Sequence, residues 1–203
     1  TAPQVLVTGR LASTAMDQRS WPLTGEHWFG LFQLTGGAYT ITETPLTINA
    51  ARCASGSPGA DILLNQGVSP TFLLSGVQGV RAGSVQTIQA VPRVLRPGST
   101  ALAFSLNSVR YRLWTTRPSR GAQVGGYTLR LSAGSRTELL LTSSQPPQVL
   151  WIGDLDRDSA PEVFLSTAEG RNLLFLRSPA AAARQGSGAS LLRMMAFLPT
   201  VSC

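Results

Sequence analysis

The chain has 203 residues, enough for one hydrophobic core of ordinary size, and 43% hydrophobic against 13% charged residues, with 20 Gly and 13 Pro, excludes a disordered chain and indicates a turn-rich fold. No apolar run reaches the roughly eighteen residues of a membrane-spanning helix. The net charge of +7 rests on 17 cations that are all Arg, scattered from Arg10 to Arg193 without a polybasic run, so neither a nucleic acid nor an anionic membrane is indicated as partner.

In chain order, Gln4 to Thr8 reads as a first strand with Val5 and Val7 on one face. Leu11 to Met16 continues it or connects onward, and Trp21 to Gly25 has turn chemistry. The aromatic run His27 to Leu34, the Gly36-Gly37 turn and the alternating Tyr39 to Thr47 predict a hairpin with Trp28, Phe29 and Phe32 in the core. Ala54 to Ala60 is a loop by composition. Strands follow at Asp61 to Asn65, Thr71 to Val77 and Val85 to Val91, and Pro92 to Pro97 suits an edge or a crossover because proline donates nothing to a ladder.

Ala101 to Leu106 and Val109 to Thr115 predict a hairpin around Asn107-Ser108. Its second strand opens the one basic stretch with interleaved aromatics, VRYRLWTTRPSR. Strand alternation places Arg110, Arg112 and Trp114 on one face and Tyr111 and Leu113 on the other, which marks the first three as a partner surface for an acidic protein, a glycan or, by stacking, a single-stranded nucleic acid. Tyr127 to Leu131 and Thr137 to Leu141 form the next hairpin.

Trp151 to Thr167, WIGDLDRDSAPEVFLST, is where acids concentrate: Asp154, Asp156 and Asp158 alternate over five residues and Glu162 follows four later. Carboxylates so crowded repel one another unless a cation gathers them, and a hard cation such as Ca²⁺ takes oxygens in this spacing. The predicted ligands are Asp154, Asp156, Asp158, the carbonyl of Ala160, and Glu162. An EF-hand is excluded, since its twelfth position is Leu165 and both flanks are β-prone. The stretch resembles instead the D-x-D-x-D-G-x-x-D calcium loop of FG-GAP and VCBS-type repeats, which joins two antiparallel strands. That resemblance implies a strand-loop-strand hairpin at 149–167 that binds calcium. Ser159 stands where the family has glycine, and Glu162 replaces the final Asp. The motif occurs once and does not imply a propeller, which needs repeated blades.

Asn172 to Arg177 reads as another strand, Pro179 to Gly188 as a helical turn or loop, and Leu191 to Val201 as an apolar strand or short helix. Short strands at roughly eight to twelve residue spacing predict an all-β, antiparallel sandwich or open barrel as a single domain over 1–203. Cys53 and Cys203 fit no metal spacing. Bridged, they close a loop of 150 residues (203 − 53), worth about 5 kcal/mol in the chain-entropy model. The start Thr1-Ala2-Pro3 reads as a mature or trimmed terminus. Disulfide and calcium loop together predict a periplasmic or secreted bacterial protein.

His27 is the only histidine, and no G-x-S-x-G, P-loop, G-x-G-x-x-G or C-x-x-C pattern occurs. The expected function is a non-catalytic, calcium-stabilised module that binds a protein, for example as a periplasmic immunity or inhibitor protein. The alternative is a secreted hydrolase or glycan-binding protein that uses the calcium loop as scaffold, with Glu26, Glu43, Glu138 and Glu169 as its free carboxylates.

Overall fold

The computed structural model describes residues 4–6, 9–12, 27–53, 56, 58–64, 67–89, 93–98, 101–117, 126–177 and 192–199. Among these the chain is all-β, with no helix and with every registered strand pair antiparallel, as the turn-punctuated alternation predicts. No helix of the described residues is long and apolar enough to cross a membrane. Two compact units are distinguishable, residues 1–86 with 196–203, and residues 87–195.

The first unit contains β1 (Gln4–Leu6), β2 (Gly9–Ala12), β3 (Phe29–Gln33), β4 (Tyr39–Glu43), β5 (Leu46–Arg52), β6 (Pro58–Leu64), β7 (Phe72–Ser75) and the start of β8 (Gly83–Gln89). One sheet runs β1-β7-β3-β4-β8 and a second β2-β6-β5. The predicted β3/β4 hairpin forms, with Gly36 and Gly37 at φ +94° and +86°, a region that glycine enters without steric cost. Trp28 and Phe32 are buried as expected, while Phe29 is only half-buried. The strand expected from Tyr39 to Thr47 breaks at Thr44-Pro45, where the chain lacks a donor and Thr44 Oγ1 donates to the Thr42 carbonyl at 2.8 Å. β5 then begins, paired over its whole length with β6. β6 starts at Pro58, inside the stretch that composition marks as loop. Leu6, Trp28, Ile62 and Leu73 form a buried cluster that joins the two sheets.

Cys53 directly follows β5, is 6% exposed and is not a free thiol; Cys203 lies outside the described residues. So do Trp21 to Gly25 and Pro179 to Gly188.

The second unit holds β9 (Arg93–Val94), β10 (Leu102–Leu106), β11 (Val109–Thr116), β12 (Tyr127–Ala133), β13 (Arg136–Ser143), β14 (Gln148–Asp154), β15 (Glu162–Ser166) and β16 (Arg171–Leu176), and β17 (Arg193–Pro199) follows. β10-β11-β12-β13 form a four-stranded antiparallel meander. β14, β15 and β16 form a second meander with the two-residue β9 on β14, which satisfies the edge expected of the proline-flanked segment. Alternate residues of the two meanders interlock in one core: Leu102, Phe104 and Leu106, Tyr111 and Leu113, and Leu129 and Leu131 from the first, Val149, Ile152, Val163, Leu165, Leu173 and Phe175 from the second. This is a β-sandwich. Leu113, Leu129, Leu131, Val163 and Leu165 are wholly buried, and each such side chain stabilises the fold by about 1.5–3 kcal/mol.

The opposite face of β14–β16 is buried too, with Trp151, Phe164 and Leu174 at 0% exposure. Trp151 satisfies its indole N–H on Thr87 Oγ1 at 3.2 Å. Strands buried on both faces carry near-continuous apolar runs, as in WIG, VFL and LLFL here. A charged residue within such a strand therefore calls for a physical reason.

Candidate metal centre

The last registered pair of β14 and β15 is Gly153 opposite Glu162, so the eight residues between them, 154–161, form a closed loop at the end of the hairpin. Aspartate side chains shape that loop. Asp156 Oδ1 accepts from the Asp158 N–H at 3.1 Å, and Asp158 Oδ1 accepts from the Ala160 N–H at 2.7 Å, two successive turns closed by side chain rather than by main chain. Arg157 and Ser159 take φ +62° and +71°, the left-handed region that non-glycine residues rarely occupy. Ser159 thus adopts the conformation for which the family motif uses glycine. Leu155 and Ala160, 0% and 5% exposed, seat the loop on apolar ground.

This local path brings carboxylates together. Asp154, Asp156 and Glu162 each direct an oxygen so that all three lie within 4.8 Å of one another, with Asp154 and Glu162 buried and Asp156 half-buried. Glu162 is 0% exposed. Its Oε2 accepts from the Leu155 N–H, whereas Oε1 has no hydrogen-bond partner, and neither has Asp154 Oδ1. Unpaired buried carboxylate oxygens are expensive, since the lost hydration is replaced by nothing.

The electrostatics follow. Burial raises the Glu162 pKa well above the usual carboxyl range, and the charges of Asp156, Asp158 and Asp154 add to it. Burial pushes Asp156 up to about 6, with Asp158 as the next cause. Asp154 is raised by burial and by Asp158, against main-chain N–H groups of Ser159, Arg157 and Asp158 that favour its ionised form. Tyr111, on the facing sheet, is raised by burial, and the charges of Asp158, Glu162 and Asp154 push the same way while Arg177 opposes. The phenol of the sandwich core therefore senses the loop. Alternation along β11 predicted Tyr111 inside but gave no hint of this neighbour.

Oxygens that share one calcium ion at roughly 2.3–2.6 Å are at most about 5.2 Å apart (2 × 2.6), a limit that three oxygens mutually within 4.8 Å meet. Orphaned oxygens, negative charge and all-oxygen donors suit a hard cation.

Of the five ligands expected from sequence, Asp154, Asp156 and Glu162 come together. Asp158 is not in that group: one of its oxygens closes the turn to Ala160, and the other lies 4.0 Å from Arg177 Nη1. Arg177, separated from the loop in sequence by β15 and β16, was not legible as its neighbour. Ala160 is buried, and its N–H serves the turn.

The remaining carboxylates are engaged elsewhere. Glu43 pairs with His27 Nδ1 at 2.8 Å, with side chains 61% and 84% exposed. Glu138 Oε2 accepts from the Leu192 N–H at 3.3 Å. Glu169 accepts from the Ser144 hydroxyl, the Ser144 N–H at 2.8 Å and the Ser143 hydroxyl at 3.1 Å; the Ser144 hydroxyl is the foremost cause that holds its pKa well below the usual range. Glu26 lies outside the described residues.

Comparison with known proteins finds no matching family model, no matching curated protein and no matching solved structure.

Proposed function

We propose that the hairpin 149–167 is a structural Ca²⁺ site, held by Asp154, Asp156 and Glu162, in a non-catalytic protein-binding module of the bacterial periplasm or exterior. The observation that carries the metal reading is Glu162: a carboxylate with no solvent exposure and one unpartnered oxygen, set among two other carboxylates. The loop has the resemblance to FG-GAP and VCBS-type calcium loops described above, and Ser159 already adopts the backbone angle of that motif's glycine. Asp158 shapes the turn and balances Arg177 rather than acting as a first ligand.

A catalytic role fits the same atoms poorly. A general acid or base must reach substrate, and Glu162 and Asp154 are 0% and 7% exposed. His27 sits in solvent on Glu43, and among the described residues no hydroxyl is hydrogen-bonded to it. The export reading also includes a Cys53–Cys203 bridge, supported by the buried, non-free Cys53.

Thermal melts of the metal-stripped protein with and without millimolar Ca²⁺, repeated with Mg²⁺ and with Asp156→Ala, test the site. A calcium-specific rise that disappears in the variant is expected; an ion at a hundredfold excess over its Kd stabilises by about 2.7 kcal/mol. Equal melts with and without calcium refute it.

A further inference from the structure

The β10–β13 sheet has one face in the sandwich core and the other in solvent. Its registers align Arg112 with Ser132 and Thr137 in one outward row, and Trp114 with Arg130 and Leu139 in the next; Arg110 lies opposite Ser105. Arg110 and Arg112 are exposed, Leu139 is 53% exposed, and Trp114 and Arg130 are half-buried. The only acid in these four strands is Glu138, which pairs with inward-facing Leu131 and accepts from the Leu192 N–H. The outward face therefore carries three guanidinium groups and no carboxylate. Among the described residues the guanidinium groups of Arg110 and Arg130 make no hydrogen bond or ion pair, and the Arg112 guanidinium lies 5.3 Å from the centroid of the Trp114 ring.

We propose that this face docks an acidic, extended segment of a partner protein. The inference rests on the binding-module reading above for its class of partner. Arg110 and Arg112 stand about 6.8 Å apart along one strand, and Arg130 is about 7–8 Å diagonally from Arg112. Alternate side chains of an extended peptide repeat at that same spacing, so Asp or Glu at every second position meets successive guanidinium groups. Each planar fork can then take a carboxylate through two hydrogen bonds. Trp114 and Leu139 stand on either side of Arg130 in their row, with Ser132 and Thr137 in the next, the composition of a protein interface with an aromatic and Arg core. Single-stranded nucleic acid stacks its bases on open aromatic faces. Here Arg112 lies over Trp114, which removes that platform.

The test uses the full chain with poly-L-glutamate as probe. Binding is expected, weakening as salt rises from about 50 to 200 mM because exposed charges are screened. Arg112→Glu, and separately Arg130→Glu, should weaken it by about tenfold or more, a loss of at least 1.4 kcal/mol. Arg52→Glu, an exposed residue at the end of β5 with the same change in net charge, should leave it unchanged. Equal losses for Arg52→Glu and Arg112→Glu would reduce the effect to net charge and overturn the inference. Tighter, Arg112-dependent binding of a sulfated glycan or an oligothymidylate would overturn the choice of partner. The calcium melt on the same variants separates the two claims: an intact calcium shift without poly-L-glutamate binding removes the docking face alone, and loss of the shift in the unmutated chain removes the metal site.

Discussion

Glu162→Gln separates a metal site from a merely polar turn, because the two readings predict opposite signs. In the metal-free protein Glu162 is fully buried with two carboxylates within 4.8 Å. At an effective dielectric of about 20, each such pair repels by about 3 kcal/mol when both are ionised. Proton uptake limits the penalty: holding a carboxyl protonated costs about 1.4 kcal/mol per pH unit above its ordinary value of 4.5, or about 3.4 kcal/mol at pH 7. Burial and the charges of Asp156, Asp158 and Asp154 favour the protonated form of metal-free Glu162 over the ionised one. Glutamine removes that cost, keeps a carbonyl oxygen for the Leu155 N–H, and offers its amide N–H groups to Asp154 and Asp156. The variant should therefore be more stable than the unmodified chain in EDTA at pH 7, by up to about 3 kcal/mol. At roughly 2–4 °C per kcal/mol for a chain of this size, the melting temperature rises by up to about 6–12 °C. It should also lose the calcium response, and calcium titration of the unmodified protein should release protons that the variant does not. Circular-dichroism melts in EDTA and in calcium, with calorimetry in two buffers of different ionisation enthalpy, read all three quantities. A variant that is less stable in EDTA yet still shifted by calcium would refute the reasoning.

The remaining predictions concern pH, the loop backbone and the cysteines. Asp156 has a folded pKa of about 6 against an ordinary 3.8, so its contribution to metal-free stability is full below pH 3.8 and is lost as pH rises through 6; Glu162, raised by burial as well, acts in the same direction. Melting temperature in EDTA should thus fall between pH 4 and 7, while the calcium-induced increment grows over the same range because the ligands must be deprotonated; Glu169 acts in the opposite direction at lower pH but is screened by solvent. A metal-free stability that rises from pH 4 to 7 would contradict the shifts. Ser159→Gly relieves a non-glycine φ of +71° and should raise stability by about 1 kcal/mol, read as a higher melting temperature and tighter calcium binding; a lower melting temperature counts against the strain. Thiol labelling under denaturing, non-reducing conditions should find no free cysteine, and reduction should expose two and lower stability by up to about 5 kcal/mol, so two reactive thiols before reduction would remove the bridge.

Strand positions were legible wherever alternation met turn chemistry. Val109 to Thr115 and Tyr127 to Leu131 lie within β11 and β12, with Tyr111, Leu113, Leu129 and Leu131 inside as the period of two requires. β5 was not legible: the strand expected from Tyr39 ends at Thr47, inside Leu46–Arg52, and only the ladder with β6 makes that segment an element of its own. Pro58 to Ala60 failed for the converse reason, since Gly and Pro in ASGSPGA describe turn propensity, while the long register with β5 decides the outcome. At the candidate site, spacing identified the loop and three carboxylates that come together. It assigned Asp158 to the same shell, because linear spacing cannot show that a carboxylate is occupied by its own turn and by Arg177, a contact across more than one strand of sequence.

The opposing tendencies in β15 connect these levels. Val163, Phe164 and Leu165 are all wholly buried, and a strand so placed favours an apolar residue at its first position as well. Glutamate there costs folding free energy while its carboxylate is unpaired; on the proposed calcium reading a bound ion would reverse that sign, and ion binding and folding would be coupled at the end of this hairpin. On the facing sheet Tyr111, whose ring stacks on Phe104 at 5.3 Å, has its pKa raised chiefly by burial, and the charges of Asp158, Glu162 and Asp154 push the same way against Arg177. Arg110 and Arg112 flank Tyr111 on β11 and face solvent, so the proposed docking surface and the sandwich core share one strand.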